Sequence, residues 1–585
     1  MPTRLDPGNV PDAPPTLLQY VAQLTKGHRG VLAAAVALSV ISAVVTIFQP
    51  RLLQKAVNDG IQGQLATRTV EQLAALVATA TVIAAVQSYL AGRGSEAVAH
   101  ELRSRISERY VEMTVEERDR SNSADLLSRA TVDSLMVKQF LAAGVLPVFG
   151  SLIMIVGMAA FMVTADLLLF AVTAASFVIG LVLVLTVTGR ANRMSTEVQE
   201  SLGSFSVSVD RVLAALRIVK ATNAQSSELR HLIDSSRGVY RTSMRITRLS
   251  AWIQPALNVC VQAAIAAVII VGTQRLAQGA LTLGGFLAYL MYMFMIIVPI
   301  GALGGALTQT QVGLGALRRC HEIEFVETEA DAQVTARPVP TEGSPLLEFD
   351  AVTFGYEESV PTLQYVSFSL QVGERLTVLG RSGAGKSTLL ELVERFYTPS
   401  SGQIRFKGVP IEELEMFDYR RRLALVPQEA SILSGTLRDN LLVGGANRDD
   451  DTLTRVLHKV GLTDLLGKSH FGLDADLGQA GVSLSGGQRQ RIAWAQVLLS
   501  DAELVLMDEP DANLDPATRR SLAAILDEFS KDRALVVVSH GVERLNPEDR
   551  VLILNQGQVA GDGLLEELSD CNTSFQELLA APQAA

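Results

Sequence analysis

Charge is scarce in this sequence. Only 19% of its 585 residues are Asp, Glu, Lys or Arg, against about 25% in ordinary soluble domains. That shortage points to a membrane portion, and 48% apolar residues exclude a largely disordered chain. Cysteine is scarcer still. Cys260, Cys320 and Cys571 lie too far apart to frame a disulfide scaffold or a metal site. No basic stripe dominates and the net charge is −11, which argues against nucleic acid as a partner. The length calls for roughly two to four domains.

The missing charge is concentrated. Gly30–Pro50, Gln72–Gly92, Gln139–Ala165, Leu167–Gly189, Leu249–Gln274 and Leu276–Leu317 contain none. About 20 apolar residues cross a bilayer as a helix, so six spans are expected, the last centred on residues 281–305. Buried core helices of a soluble protein rarely run so long without a charge. The segments Ala91–Phe140 and Gly189–Arg248 are rich in Lys and Arg, while the opposite loops hold little beyond Arg51, Lys55, Arg68 and Arg275. The positive-inside rule places those two segments, and both termini, in the cytoplasm. Ala97–Glu117 and Glu197–Lys220 carry helical periodicity. They read as spans continuing out of the membrane, with tips near Asp119–Ala130 and Ser206–Leu216.

Residues 1–15 hold five prolines and read as a flexible tail. Leu17, Leu18, Val21 and Leu24 share one face of a helix expected at the inner membrane surface. Val326–Pro345 is polar and proline-bearing, a linker. Beyond it, residues 346–585 alternate short β-rich runs with helical stretches. Leu346–Phe354, Arg375–Leu379, Leu423–Val426, Leu504–Met507 and Leu535–Ser539 are the β-rich ones. The expected fold is a polytopic α-helical membrane domain over residues 16–325, followed by an α/β domain over residues 346–585.

Gly380-Arg381-Ser382-Gly383-Ala384-Gly385-Lys386-Ser387-Thr388 follows an apolar strand and opens an apolar helix. A chance glycine turn rarely has both flanks. The spacing suits backbone N–H groups wrapped around a phosphate, with Lys386 on the β- and γ-oxygens and Ser387 on Mg²⁺. Asp508 and Glu509 end the apolar run Leu504–Met507. Surface acids can cap a strand. Beside a phosphate loop, however, they fit a Mg²⁺ partner (Asp508) and a general base for water (Glu509). Leu484-Ser485-Gly486-Gly487-Gln488 reads either as a turn with a helix cap or as a second phosphate-reading tip. A second tip in one chain makes sense if it closes on ATP held by another chain.

Phosphate loop, LSGGQ and Asp-Glu, in this order, resemble an ATP-binding cassette. Six spans before one cassette resemble an exporter-type half-transporter of the multidrug and lipid-flippase-like group. The resemblance spans about residues 16–579; Asp125–Arg129 and Leu216–Lys220 look like the family's cytoplasmic arms. It implies ATP and Mg²⁺ as cofactors, a second half-transporter chain as partner, and a multi-pass location in the cell's inner or plasma membrane. By the same resemblance Tyr356 stacks on adenine, unless it is simply a strand-end tyrosine. Gln428 contacts Mg²⁺ and the lytic water, and Asp515 crosses the dimer interface. His540 contacts the γ-phosphate, where a strand-end histidine is otherwise structural.

Three departures stand out. Gly478-Gln479-Ala480-Gly481 replaces the frequent Gly-Glu-x-Gly, Trp494 stands where the family has Arg, and Gly541 follows His540. None removes a catalytic atom.

The resemblance implies ATP-driven alternating access by a dimer exporting a hydrophobic or amphipathic small molecule, lipid or peptide. An importer on the same fold (for a siderophore, for example) and an ATP-gated channel or regulatory subunit are the alternatives. Trp252, Gln254, Asn258, Gln262, Tyr289 and Tyr292 are candidate cavity residues; packing or lipid contact is the alternative for each.

Overall fold

The computed structural model describes residues 16–62, 67–329, 337–357, 359–443, 448–468, 471–478, 484–511, 514–539 and 549–571. The tail 1–15, linker residues 330–336, Gln479 and His540 lie outside that range. The chain forms two compact units. One holds residues 1–108 and 124–325, the other residues 109–123 and 326–585. The tip of the first arm thus belongs with the second unit.

The first unit opens with the helix Leu17–Leu24, started by a capping box between Thr16 and Gln19. Among the described residues, five helical stretches are long and apolar enough to cross a membrane: Arg29–Ile61, Thr67–Glu112, Ser123–Ala165, Asn258–Ala277 and Leu283–Phe325. A shorter apolar run, Leu167–Gly180, opens the helix Leu167–Ala214. The first stretch breaks at Phe48, where Pro50 sits in the first turn of the next helix.

Two ion pairs link helix ends in this unit. Asp166 caps the helix Leu167–Ala214 by accepting from the N–H groups of Leu168 and Leu169, and its Oδ2 accepts from Arg275 Nε at 2.7 Å. Arg319 donates to both carboxylate oxygens of the buried Asp133, at 2.9 and 2.5 Å. The helix Leu167–Ala214 packs along Gln225–Ser250 and Ile253–Ala277. That hairpin leaves Val178, Ile179, Val259 and Ile270 exposed.

The arm tips differ from expectation. Helix Thr67–Glu112 stops where Met113 pairs with Thr328, and Thr114 caps the short helix Val115–Arg120. The second tip comes later than Ser206–Leu216. Helix Leu167–Ala214 runs unbroken through most of that stretch, Leu216–Ala221 forms the tip helix, and the turn is made by Asn223 at φ +54°. Asparagine tolerates that left-handed conformation, and residues 206–214 contain neither Gly nor Pro to stop a helix.

The second unit is built on two sheets. An antiparallel sheet has the order β2-β1-β4-β5, from β1 (Leu347–Phe354), β2 (Leu363–Leu370), β4 (Ser401–Phe406) and β5 (Val409–Pro410). The other has the order β10-β9-β3-β8-β7-β6. Its strands are β3 (Arg375–Gly380), β6 (Leu423–Val426), β7 (Leu504–Asp508), β8 (Ala534–Ser539), β9 (Arg550–Asn555) and β10 (Gln558–Leu564). Only its β9–β10 pair is antiparallel.

Strands β7 and β8 are apolar on both faces up to their last residues because both faces are covered, as are those of β3, which buries Thr377. Alternation divides their side chains. Leu504, Leu506, Val536 and Val538 join the core under the antiparallel sheet. Val505, Met507, Leu535 and Val537 join the core beneath the helix Gly486–Leu499. In register, Leu379 pairs Ser539, Val538 pairs Asp508, and Met507 pairs Val426. The C-terminal ends of four parallel strands are therefore level, and that end is where such sheets bind ligands.

Candidate functional site

The phosphate-type loop leaves β3 at that level edge. Gly380 must be glycine, since a Cβ there would lie 2.5 Å from the Leu554 carbonyl oxygen. Gly385 has φ +95° and a Cβ would meet Leu363 at 2.6 Å. Arg381, Ser382, Gly383 and Ala384 complete the turn, with Ala384 N–H donating to Arg381 O. Lys386 and Thr388 are buried in the first turn of the helix Lys386–Val393. Lys386 Nζ donates to the carbonyls of Gly380 and Arg381 at 2.8 and 3.0 Å. Burial pushes the Lys386 pKa down, opposed by the nearby Glu509 and Asp508.

Ser387 and Asp508 meet. Ser387 Oγ donates to Asp508 Oδ2 at 2.8 Å, while Asp508 Oδ1 is buried without a hydrogen-bond partner. A hydroxyl oxygen beside a carboxylate oxygen with unused capacity is the hard-oxygen donor set that Mg²⁺ prefers. These residues fit that ion.

Gln428 and Glu509 also meet, with Gln428 Nε2 donating to Glu509 Oε2 at 3.1 Å. Glu509 holds φ +46°, a left-handed backbone rare outside glycine. Its N–H donates to Val538 O at 3.1 Å, which fixes the turn after β7. β8 ends at Ser539 between the two loops; His540, next in sequence, lies outside the described residues.

Tyr356 is 49% exposed. Its hydroxyl contacts Thr388 Oγ1 at 3.0 Å and donates to Glu391. Its ring meets Tyr397 edge-on, and Tyr397 donates to Asp119 at 2.8 Å. The sequence pointed to neither Tyr397 nor Glu391, and to Asp119 only as the start of an arm tip. Glu391 has a local signal, three residues after Thr388 on the same helical face. Tyr397 and Asp119 have none, being 278 residues apart.

Ser485 caps the helix Gly486–Leu499. Its hydroxyl accepts from Gln488 N–H, and Gln488 Oε1 accepts from Ser485 N–H. The helix-cap reading of LSGGQ is thus present in the structure, and Ser485 remains exposed. Gly486 and Gly487 form the first turn. Asp515 likewise caps the helix Pro516–Phe529 through Thr518.

The candidate cavity residues are not gathered in one place. Tyr289 is fully buried and its hydroxyl meets Thr173 Oγ1 at 2.8 Å. Tyr292 is buried, donates to Ile47 O and stacks on Phe161. Both sit in packing, with Met158, Met162 and Phe286. Trp252, Asn258 and Gln262 are exposed in or beside helix Ile253–Ala277. The Gln254 side chain lies outside the described residues.

Comparison with known proteins matches this layout. The family described as "ABC transporter transmembrane region" matches residues 32–300, and the family "ABC transporter" matches residues 363–512. A multidrug efflux ATP-binding/permease protein of Mycobacterium tuberculosis is 29% identical over 568 residues, covering 95% of this chain. This chain spans 47% of that relative, about half its length. An ATP-dependent lipid A-core flippase of Haemophilus influenzae is 28% identical over 503 residues, 84% of each chain. A multidrug resistance ABC transporter ATP-binding and permease protein of Lactococcus lactis is 25% identical over 530 residues, 90% of this chain and 89% of the relative. The fold is that of a bacterial Atm1-family ABC exporter solved with ATP bound, at a TM-score of 0.76 and 20% identity, over 95% of this chain and 99% of that one. With apolar helices that can span a membrane, a phosphate-type loop facing two strand-end acids, and both family regions in order, this chain is a membrane protein of the ABC transporter family.

Proposed function

We propose that this chain is one half of an ATP-hydrolysing membrane transporter that works as a dimer and exports a hydrophobic or amphipathic small molecule, lipid or peptide. One observation carries the reading. The Ser387–Asp508 and Gln428–Glu509 pairs converge at one edge of a parallel sheet, in a chain that also holds apolar spans. The names of the relatives, multidrug efflux and lipid A-core flippase, support export. A relative of about twice this length, of which the chain spans 47%, supports a second half as partner. The domain boundaries in this reading are 16–325, a linker 326–345, and a cassette 346–585. The basic segments support a cytoplasmic position for the termini and the cassette, below an inner or plasma membrane.

In this mechanism the N–H groups of the loop and the Lys386 ammonium hold the β- and γ-phosphates of ATP. Tyr356 stacks on the adenine. Mg²⁺, held by Ser387 and Asp508 with Gln428 nearby, supplies charge neutralisation when bound. Glu509 takes a proton from the attacking water. Water oxygen bonds to the γ-phosphorus, the bond to the bridging oxygen breaks, and ADP and phosphate form. Gln428 orients Glu509, and the family resemblance assigns His540 to the γ-phosphate. Ser485, Gly486, Gly487, Gln488 and Asp515 serve the ATP held by the partner chain. Binding and release of that sandwich alternate the cavity between the two sides.

The test uses full-length protein in proteoliposomes. Glu509→Gln is expected to bind ATP and lower kcat by about 10²–10⁴-fold, the usual contribution of a general base. Phosphate release at the parent rate would overturn the assignment.

A further inference from the structure

The helix Gly486–Leu499 starts at the exposed Ser485 and runs back beneath the sheet. Two of its buried side chains, Gln490 and Trp494, are 1% and 2% exposed. They are four residues apart and so share one helical face. Each donates to a backbone carbonyl on a catalytic loop. Gln490 Nε2 reaches Pro427 O at 3.0 Å, directly before Gln428. Trp494 Nε1 reaches Pro510 O at 3.0 Å, directly after Glu509. The Gln428–Glu509 hydrogen bond then closes a ring: helix face, Pro427, Gln428, Glu509, Pro510, helix face.

The ring has a physical purpose. Glu509 sits at φ +46°, which costs energy and persists only where surroundings enforce it. Val538 O fixes the turn from one side, through the Glu509 N–H. Trp494 fixes it from the other, by holding the next carbonyl. Trp494 is no surface side chain; it is packed in the core under the sheet.

We propose that Gln490 and Trp494 are positioning residues that tie the signature tip at Ser485 to the Gln428–Glu509 pair of the same chain. The helix acts as a rigid strut. What the Ser485 tip engages sets the alignment of the catalytic pair at the helix's other contacts. In the dimer, closing on the partner's ATP aligns the chain's own base, so the two sites fire together. This rests on the reading of Glu509 as the general base.

The experiment uses full-length protein in proteoliposomes and measures phosphate release against ATP. Trp494→Phe keeps a ring and removes the N–H. It is expected to lower kcat about ten-fold, the scale of one lost hydrogen bond, with the KM for ATP within about two-fold of the parent. The Hill coefficient should fall toward one. Gln490→Met, which keeps length and removes the donor, should do the same. In the Glu509→Gln background Trp494→Phe should have no further effect, because both changes act through one group. A parent-like kcat in Trp494→Phe, with Glu509→Gln inactive, overturns the strut and leaves the base assignment standing. A loss that persists in the Glu509→Gln background also overturns it. If Trp494→Phe fails to fold, Gln490→Met decides: a parent-like kcat and Hill coefficient there overturn the proposal. Parent-like turnover in Glu509→Gln itself removes the base, and the strut falls with it.

Discussion

Tyr397 donates its phenolic proton to Asp119 at 2.8 Å, and its ring meets Tyr356 edge-on at 5.2 Å between centroids. The first arm's tip, residues 109–123, is thereby joined to the aromatic beside the phosphate-type loop. Backbone pairing supports the same segment: Thr114 N–H donates to Glu327 O, and Glu329 N–H to Glu112 O. Tyr397→Phe removes one charge-assisted hydrogen bond. Amide exchange across residues 109–123 should become about ten-fold faster, which a loss of roughly 1.4 kcal/mol produces. Unchanged exchange in that segment would show that backbone pairing alone holds the tip.

Asp508 has one oxygen on Ser387 and one buried oxygen without a partner. Asp508→Asn keeps the shape and removes the charge. The Mg²⁺ concentration for half-maximal ATPase should rise at least about ten-fold. A Mg²⁺ titration that overlays the parent would remove Asp508 from the metal site.

Glu394 lies on the C-terminal side of the helix Lys386–Val393 and is 9% exposed. Burial, opposed by Arg420, pushes its pKa from 4.5 up to about 8. The folded chain therefore keeps this proton over a range where the unfolded chain has lost it. Stability falls as pH rises from about 4.5 and levels off above about 8, with a slope of at most roughly 1.4 kcal/mol per pH unit. Glu394→Gln removes the dependence. Its Tm should exceed the parent's by more at pH 8 than at pH 5. Equal gains at both would mean the carboxyl is already ionised in the fold.

The Asp166–Arg275 pair offers a stability test in the membrane unit. The Asp166 side chain is 2% exposed and also caps a helix. Arg275→Ala leaves that carboxylate without its cation and should cost about 1–3 kcal/mol. Asp166→Asn keeps a cap oxygen and sheds the charge, so it should cost less. Thermal unfolding in one detergent ranks the two, and the reverse order would sink this account.

The apolar helices and the phosphate-type loop were legible because each is a short-range pattern. A charge-free window announces its solvent at every residue, as Gln139–Ala165 does. Gly380, Gly385, Lys386 and Ser387 are tied by one loop's geometry, so their spacing alone carries the chemistry. The second arm tip was misplaced because helical periodicity continues past Ser206; only the left-handed Asn223 ends the tip. Tyr289 and Tyr292 look like cavity residues by type. Partners from distant helices, Thr173 and the Ile47 carbonyl, make them core.

Local chemistry therefore determined the helix caps, the glycine turn after β3 and the apolar helices, since these depend on neighbours within a few positions. Long-range packing alone decided that Tyr397 meets Asp119, that Gln428 meets Glu509, and that one helix face holds the carbonyls of both Pro427 and Pro510. Such contacts join residues whose sequence separation carries no period. They arise only after parallel pairing brings the ends of β3, β6, β7 and β8 level.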